Sequence, residues 1–480
     1  MRTSSTTDAP ALTSADTIAI GVFEDEGVAH DLSGGELAAL LDAGEAKRSF
    51  KHLAVWHHEG KRIVLVGLGA RDRFDAERAR VAAAAVHGRA CELGATALCW
   101  EVPHHVADDV VGGLVEGTLL AGYRFDRYKT APGDGPRIEE LVLSAHHDVA
   151  PAVERATVVA EAVNRCRDLQ NGPANEMTPT ALGAWALALA GVSVEVEGLE
   201  EIERRGMGAF AAVARGSYEP PALITLRYDP PGAVGPHLGF VGKAVTFDSG
   251  GISIKPGGGM ADMKFDMSGG AAVIEAIGAI ANLGLPVRVT GVVGAAENMP
   301  SGRSMRPSDV LRAMNGTTIE VINTDCEGRL VLADCLAHAV DLGAERIVEL
   351  STLTGATANF LGSTYAALFA ADDAWAAAVR EAGERTGEIA WRLPLHDEYD
   401  ELIKGATGDI VNLNEPRKAG AITAAQFLQR FTGDVPFAHL DIAGVSDGLG
   451  RAYAAKGGSG WGVRMLVDLA AQVAGDSGSA

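Results

Sequence analysis

Two clusters of charge lie inside apolar sequence. The first is Asn323-Thr324-Asp325-Cys326-Glu327-Gly328-Arg329-Leu330, which follows the apolar run Ile319 to Ile322. The second is upstream, in Gly242-Lys243-Ala244-Val245-Thr246-Phe247-Asp248-Ser249-Gly250-Gly251-Ile252-Ser253-Ile254-Lys255-Pro256, and continues in Met263-Lys264-Phe265-Asp266-Met267. Burying Lys, Asp and Glu without partners is costly, so carboxylates and amines set among Ile, Val, Phe and Met imply mutual pairing or a metal. Asp248, Asp266, Asp325, Glu327, Lys243 and Lys255 together favour the metal. Hard oxygen ligands suit divalent cations, and two ions about 3.5 to 4 Å apart need carboxylates able to bridge them.

A histidine- or thiolate-ligated zinc site is disfavoured, because neither His-Glu-x-x-His nor Cys-x-x-Cys occurs. The pairs His57-His58, His104-His105 and His146-His147 are adjacent, so in an extended segment their rings point to opposite faces; they read as surface or packing residues.

Such clusters need a scaffold. In the N-terminal third, strand patterns at Thr17 to Phe23, Ile63 to Leu68, near Ala97 and at Leu141 to Ser144 alternate with helices from Gly35 and from Phe74 to Leu93, which predicts a small α/β domain. Residues Met1 to Asp8 read as a short frayed tail without the charged and apolar regions of a leader. A helix from Val149 to Leu169, broken by Asn171-Gly172-Pro173, would join the two halves. Beyond it, Leu238 to Val241 precedes a helix at Gly269 to Leu283, and Val287 to Val293 precedes one near Ser308. Ile319 to Ile322 precedes a helix at Gly328 to Leu342, and Ile347 to Leu350 leads into a Thr354 loop. Near-continuous apolar strands indicate a mostly parallel sheet covered by helices, and in such sheets ligands gather outside the carboxyl ends of strands. The predicted boundaries are 1–148 for the N-terminal domain, 149–171 for the connecting helix and 172–480 for a larger catalytic domain; 480 residues exceed what one core supports.

From about Arg167 onward the motifs become specific. Gly242-Lys243 to Pro256, Asn298-Met299-Pro300-Ser301-Gly302, the 323–330 octapeptide, Thr352-Leu353-Thr354-Gly355-Ala356 and His439-Leu440-Asp441-Ile442-Ala443-Gly444 resemble the dizinc leucyl aminopeptidase (cytosol aminopeptidase) family in order and spacing. The resemblance implies a metallo-exopeptidase with two divalent ions per subunit, Zn²⁺ or Mn²⁺. Asp248 and Glu327 would bridge them, Asp325 would complete the looser site, and Lys243 and Asp266 the tighter one. A lysine ligand must be deprotonated, far below its usual pKa of about 10.4; an ion pair of Lys243 with Asp248 or Asp266 is the alternative.

By the same resemblance, Lys255 is the electrophile that stabilises the oxyanion, and Arg329 holds a bicarbonate that takes a proton from the attacking water. An ion pair of Arg329 with Asp325 or Glu327 is its structural alternative. Both ions would share that water and present hydroxide to the peptide carbonyl, with the substrate's free α-amine on one ion. Met263, Thr352, Gly355 and Ala443 would surround the first substrate side chain, leucine or another hydrophobic residue, although Met263 also suits an ordinary core. Cys326 stands where the family commonly carries alanine and reads as a small space-filler. The family also implies peptide substrates and a homohexamer.

The formal net charge of −22 argues against a broad nucleic-acid or anionic-membrane surface. A regulatory, DNA-binding relative with little or no peptidase role is the alternative from another class; a full set of ligands speaks against it. Five scattered cysteines, at 91, 99, 166, 326 and 335, fit a reducing compartment and hence a cytoplasmic protein. No apolar run is long enough to suggest a membrane span.

Overall fold

The structure is a computed structural model; it describes residues 1–480 except 29–30, 32–33, 132, 134, 415–417, 455 and 477–480. The chain divides into two compact units, Met1–Asn164 with Gly450–Ala455, and Arg165–Leu449 with Lys456–Ala480. The helix Ala150–Asn171 runs through the boundary between them.

In the first unit a six-stranded sheet has the spatial order Arg2–Thr6, Glu140–Ser144, Ala97–Glu101, Thr17–Phe23, Lys61–Gly69, Leu53–His58. Every neighbouring pair is parallel except the last, which is antiparallel. Helices Ala76–Glu92 and Asp108–Ala121 pack together. The expected frayed N-terminus is corrected: Arg2–Thr6 pairs in register with Glu140–Ser144. Its Thr and Ser side chains suit a half-exposed edge strand, a role that hydropathy alone does not reveal.

The second unit carries an eight-stranded sheet in the order Ala390–Arg392, Ala366–Ala370, Phe437–Asp441, Arg346–Ser351, Val234–Asp248, Val287–Asn298, Ala222–Tyr228, Ser193–Glu197. Four adjacent strands at its centre, from Phe437–Asp441 to Val287–Asn298, are mutually parallel. The flanking pairings of Ala366–Ala370 with Phe437–Asp441, and of Ala222–Tyr228 with both its neighbours, are antiparallel. Helix Ser268–Asn282 lies on the central strands, and its residues from Ser268 to Ile280 are all buried. Phe240, Val241, Val292, Ile277 and Leu350 are fully buried in this layer. Each such side chain contributes about 1.5 to 3 kcal/mol of apolar burial, so the scaffold under the charged clusters is rigid.

Two expectations fail in a small separate sheet. Ile319 to Ile322 was expected to join the main sheet. The strand is instead Thr318–Glu320, antiparallel to Val310–Arg312 and parallel to Ile410–Val411. No helix forms near Ser308, which has φ 80°. Pro307 restricts the preceding residue, and the backbone N–H of Ser308 donates to Val321 O at 2.8 Å, which draws the segment into this sheet. The expected Thr354 loop is the N-cap of a short helix, Gly355–Leu361. Among the described residues no helix is long and apolar enough to cross a membrane.

Candidate active site

The parallel strands of the central sheet deliver polar groups from their carboxyl ends. Val234–Asp248 ends in Asp248, Val287–Asn298 in Asn298 and Phe437–Asp441 in Asp441, while Thr352 follows Arg346–Ser351. The register between the first two slips at Ala296/Glu297, and the displaced ends pair Asn298 with Asp248. Such a bulge re-aims strand ends. Here it lets Asn298 Nδ2 donate to Asp248 Oδ1 at 2.8 Å and to Thr324 O at 3.0 Å. Asp325 and Glu327 arrive from the small sheet, on the turn that leads into helix Gly328–Asp341.

These side chains converge. Asp248, Asp325 and Glu327 each place a carboxylate oxygen within 4.8 Å of the others. Lys243 Nζ, from the buried middle of its strand, lies 2.8 Å from Asp266 Oδ1 and 2.9 Å from Glu327 Oε1. Thr352 Oγ1 donates to the same Asp266 oxygen at 2.7 Å. Lys255 Nζ spans the other side, 2.7 Å from Asp248 Oδ2 and 2.5 Å from Asp325 Oδ1. Two glycines make this possible. A Cβ on Gly328 would lie 2.6 Å from Lys243 Nζ, and one on Gly250, at φ 87°, would lie 2.8 Å from Asp325 Oδ1.

Charge is out of balance at this place. Four carboxylates, Asp248, Asp266, Asp325 and Glu327, face two amines, Lys243 and Lys255, in largely buried surroundings. Burial, reinforced by Asp248, raises the Glu327 pKa to about 8 against the opposing pull of Lys243. Burial also raises Asp266, to about 6, and Asp325. At Lys243 burial works against the charged form, but Asp266, Glu327 and Asp248 outweigh it and hold the amine above its ordinary pKa. Asp266 Oδ2 and Glu327 Oε2 are buried and accept no hydrogen bond among the described residues. Excess negative charge with orphaned carboxylate oxygens fits divalent cations, whose oxygen-rich preference the donor set matches.

Arg329 lies in the first turn of helix Gly328–Asp341 and is 4% exposed. Its Nη1 donates to Asn412 O at 2.6 Å, its guanidinium stands 6.0 Å from the Phe427 ring centroid, and its Nε is buried without an acceptor. Among the described residues no ion pair joins it to Asp325 or Glu327. Met263 sits half-buried in the turn Met260–Phe265, shortly before Asp266. Thr352 and Ala443 are half-buried and Gly355 is exposed. Cys326 stands apart from the acidic cluster, with its thiol pKa raised by burial.

Three positioning residues carry no charge signal, or one that was not used. Asn412 is fully buried: its Oδ1 accepts from Ile322 N at 2.7 Å and Asn323 N at 3.3 Å, and its Nδ2 donates to Asn323 O at 2.7 Å and Cys326 O at 3.4 Å. Asn298 holds Asp248, as above. Asp441 accepts from Leu353 N, Thr354 N, Thr354 Oγ1 and Ala443 N, at 2.6 to 3.2 Å, and so ties together the two segments that carry Thr352, Gly355 and Ala443. Asp441 repeats the signal of Asp248, a carboxylate ending an apolar strand, and was legible by the same rule.

Comparison with known proteins places the chain in a family. Residues 164–467 match the "Cytosol aminopeptidase family, catalytic domain", and residues 19–132 match the "Cytosol aminopeptidase family, N-terminal domain". A "Probable cytosol aminopeptidase" of Roseiflexus castenholzii is 41% identical, with 97% of this chain and 98% of the relative covered. One of Solibacter usitatus is 43% identical, covering 95% and 96%. Among solved structures, the bottromycin maturation enzyme BotP in complex with Mn superposes with a TM-score of 0.87 at 36% identity, covering 96% of this chain and 100% of that one. A tomato leucine aminopeptidase mutant gives a TM-score of 0.87 at 31% identity, covering 98% and 96%. With both halves matched and a carboxylate cluster suited to cations, the chain belongs to the cytosol aminopeptidase family and is a metallo-exopeptidase.

Proposed function

We propose that the protein removes N-terminal residues, leucine and other hydrophobic ones foremost, from peptides, and that the residues assigned above act as follows. Two divalent ions, Zn²⁺ or Mn²⁺, would be held by these side chains: Asp248 and Glu327 would serve both, Lys243 and Asp266 one, and Asp325 the other. When bound, the ions supply Lewis acidity and lower the pKa of water. Lys243 Nζ must then release its proton, because only the neutral amine has a lone pair.

Lys255 carries its charge on a partly exposed side chain between Asp248 and Asp325. With those carboxylates engaged as metal ligands, its Nζ–H groups would be free to turn to the scissile carbonyl oxygen. Charge aimed at a developing oxyanion is the largest single catalytic contribution in many enzymes. Arg329 Nε is a buried donor without an acceptor, which supports a small oxyanion beside it. Bicarbonate held there would supply a proton acceptor that the side chains lack. Met263, Thr352, Gly355 and Ala443 line the place for the first side chain. Their small or flexible surfaces suit leucine, and Asp441 holds the segments that carry Thr352, Gly355 and Ala443.

The single observation that carries the reading is the excess of buried carboxylates around Lys243. A free α-amine is required to complete the site, so blocked peptides are excluded. With Mn²⁺ or Zn²⁺ added to the purified chain, leucine p-nitroanilide should be cleaved and N-acetyl-leucine p-nitroanilide should not; equal rates on both would sink the exopeptidase assignment.

A cytoplasmic location is part of the same proposal, supported by relatives named cytosol aminopeptidases. A homohexamer agrees with the exposed Phe360 and Trp391, 55% and 58% accessible, which a partner subunit would cover; analytical ultracentrifugation decides it.

A further inference from the structure

We propose that a cationic cup beside the catalytic loop reads the free carboxylate of short peptide substrates, and so selects by length. The inference rests on the aminopeptidase reading above and adds the class of substrate. The cup is a cavity of about 440 Å³, walled by Ile252, by Arg215 after the helix Gly208–Ala214, and by the turn that contains Ser301, Arg303 and Arg306.

The loop of Ile252 and the turn of Ser301 are each continuous in sequence with a segment that holds the carboxylate site. Ile252 lies between Gly251 and Ser253, and Ser253 N donates to Thr324 Oγ1 at 2.8 Å, next to Asp325; Lys255 follows two residues later. The turn begins just past Asn298, whose amide holds Asp248. The same loop thus meets both places: a Cβ on Gly250 would lie 2.8 Å from Asp325 Oδ1, and Ile252, two residues on, lines the cup.

Three arginines, Arg215, Arg303 and Arg306, and one carboxylate, Asp309, line the cup, a net positive set that suits an anion. Arg303 is exposed and pairs with no carboxylate among the described residues. Arg306 pairs with Asp309 at 3.1 Å and Arg215 with Glu203 at 2.7 Å, yet their side chains are 74% and 55% exposed and keep donors free. The turn is braced from inside: Ser304 Oγ donates to Met299 O at 2.6 Å and accepts from Ser301 N at 2.7 Å, and Ser301 Oγ accepts from Arg303 N at 3.1 Å. A guanidinium on a braced turn offers a planar fork that matches a carboxylate.

In a chain of net charge −22 the average field repels anionic substrates, so an arginine cluster beside the site has a local effect out of proportion to its size. A peptide held at its amine has one other obligatory charge, its terminal carboxylate. Each residue adds about 3.3 to 3.6 Å of reach, so only one peptide length, or two adjacent ones, can place that carboxylate at the arginines.

The test is a ladder of Leu-Gly, Leu-Gly-Gly and Leu-Gly-Gly-Gly, each as free acid and as C-terminal amide, on the metal-loaded enzyme. At one rung the acid should exceed the amide in kcat/KM by roughly tenfold, the scale of one charge-assisted hydrogen bond. That ratio should shrink in 0.5 M NaCl, fall close to one in the Arg303→Ala/Arg306→Ala variant, and survive in part in Arg303→Lys. An acid-to-amide ratio near one at every length, or one that persists in the double variant, overturns the subsite. Failure to release leucine from any of these peptides would instead overturn the underlying aminopeptidase reading.

Discussion

Replacing Asn412 with alanine should damage the site from a residue that touches neither substrate nor cation. Its side chain makes two short bonds, 2.7 Å each, to Ile322 N and Asn323 O, and two longer ones, 3.3 and 3.4 Å, to Asn323 N and Cys326 O. The short pair dominates. Leaving a buried donor and a buried acceptor unpaired costs about 1 to 3 kcal/mol each, and water entering the vacated space recovers part of it, so a loss of about 2 to 3 kcal/mol is expected. The bond from Arg329 Nη1 reaches the backbone carbonyl of residue 412 and survives the change. The turn that carries Asp325 and Glu327 does not keep its anchor. A displacement on the scale of 1 Å costs about 10²-fold in rate. Urea unfolding gives the stability, and initial rates on leucine p-nitroanilide across a Mn²⁺ titration give kcat/KM and apparent metal affinity. A variant within about 0.5 kcal/mol of the parent, a difference typical of neutral surface substitutions, with the same metal affinity and rate, would refute the clamp.

Other expectations follow from single residues. Asp441→Ala frees Leu353 N, Thr354 N and Ala443 N together, so discrimination between leucyl and alanyl substrates should fall roughly tenfold; unchanged selectivity with unchanged KM would contradict the pocket. Gly328→Ala puts a methyl group against Lys243 Nζ, and should cost more metal affinity than global stability; a plain loss of Tm with intact metal binding would show otherwise. His87 is buried, and burial, helped by Arg124, lowers its pKa to about 4. Between pH 6.5 and 4 the unfolded chain then binds a proton that the folded one refuses, so stability falls with acid, by about 2 kcal/mol from pH 7 to pH 5. His87→Leu should flatten that slope in urea titrations, and an identical slope in both proteins would argue against the assignment.

The charged core of the site was legible in sequence because Lys243, Asp248, Asp325 and Glu327 interrupt apolar runs, and burial makes such interruptions expensive. The parallel sheet was legible for the same reason: its strands are buried on both faces. What escaped was short or uncharged. Ile319 to Ile322 read as a strand, but Ile410–Val411 is too brief to show a period, so nothing marked the strand as part of a separate small sheet that swings the octapeptide over the site. Asn412 acts across 89 to 90 positions through a neutral amide, and its partners are backbone groups. The helix expected near Ser308 failed where Pro307 and a left-handed backbone override hydropathy. Edge strand Arg2–Thr6 was missed because a polar alternation of Ser and Thr looks the same in a tail and at a sheet margin.

The account depends on cations balancing the carboxylates around Lys243. Calorimetric titration of Mn²⁺ into chelator-treated protein measures this most directly, with Asp248→Ala and Glu327→Ala in parallel. Two ions per chain are predicted for the parent, with hydrolysis of leucine p-nitroanilide appearing as they bind, and both variants should lose at least one ion. Full activity in the chelated protein, or binding that neither substitution disturbs, would contradict it.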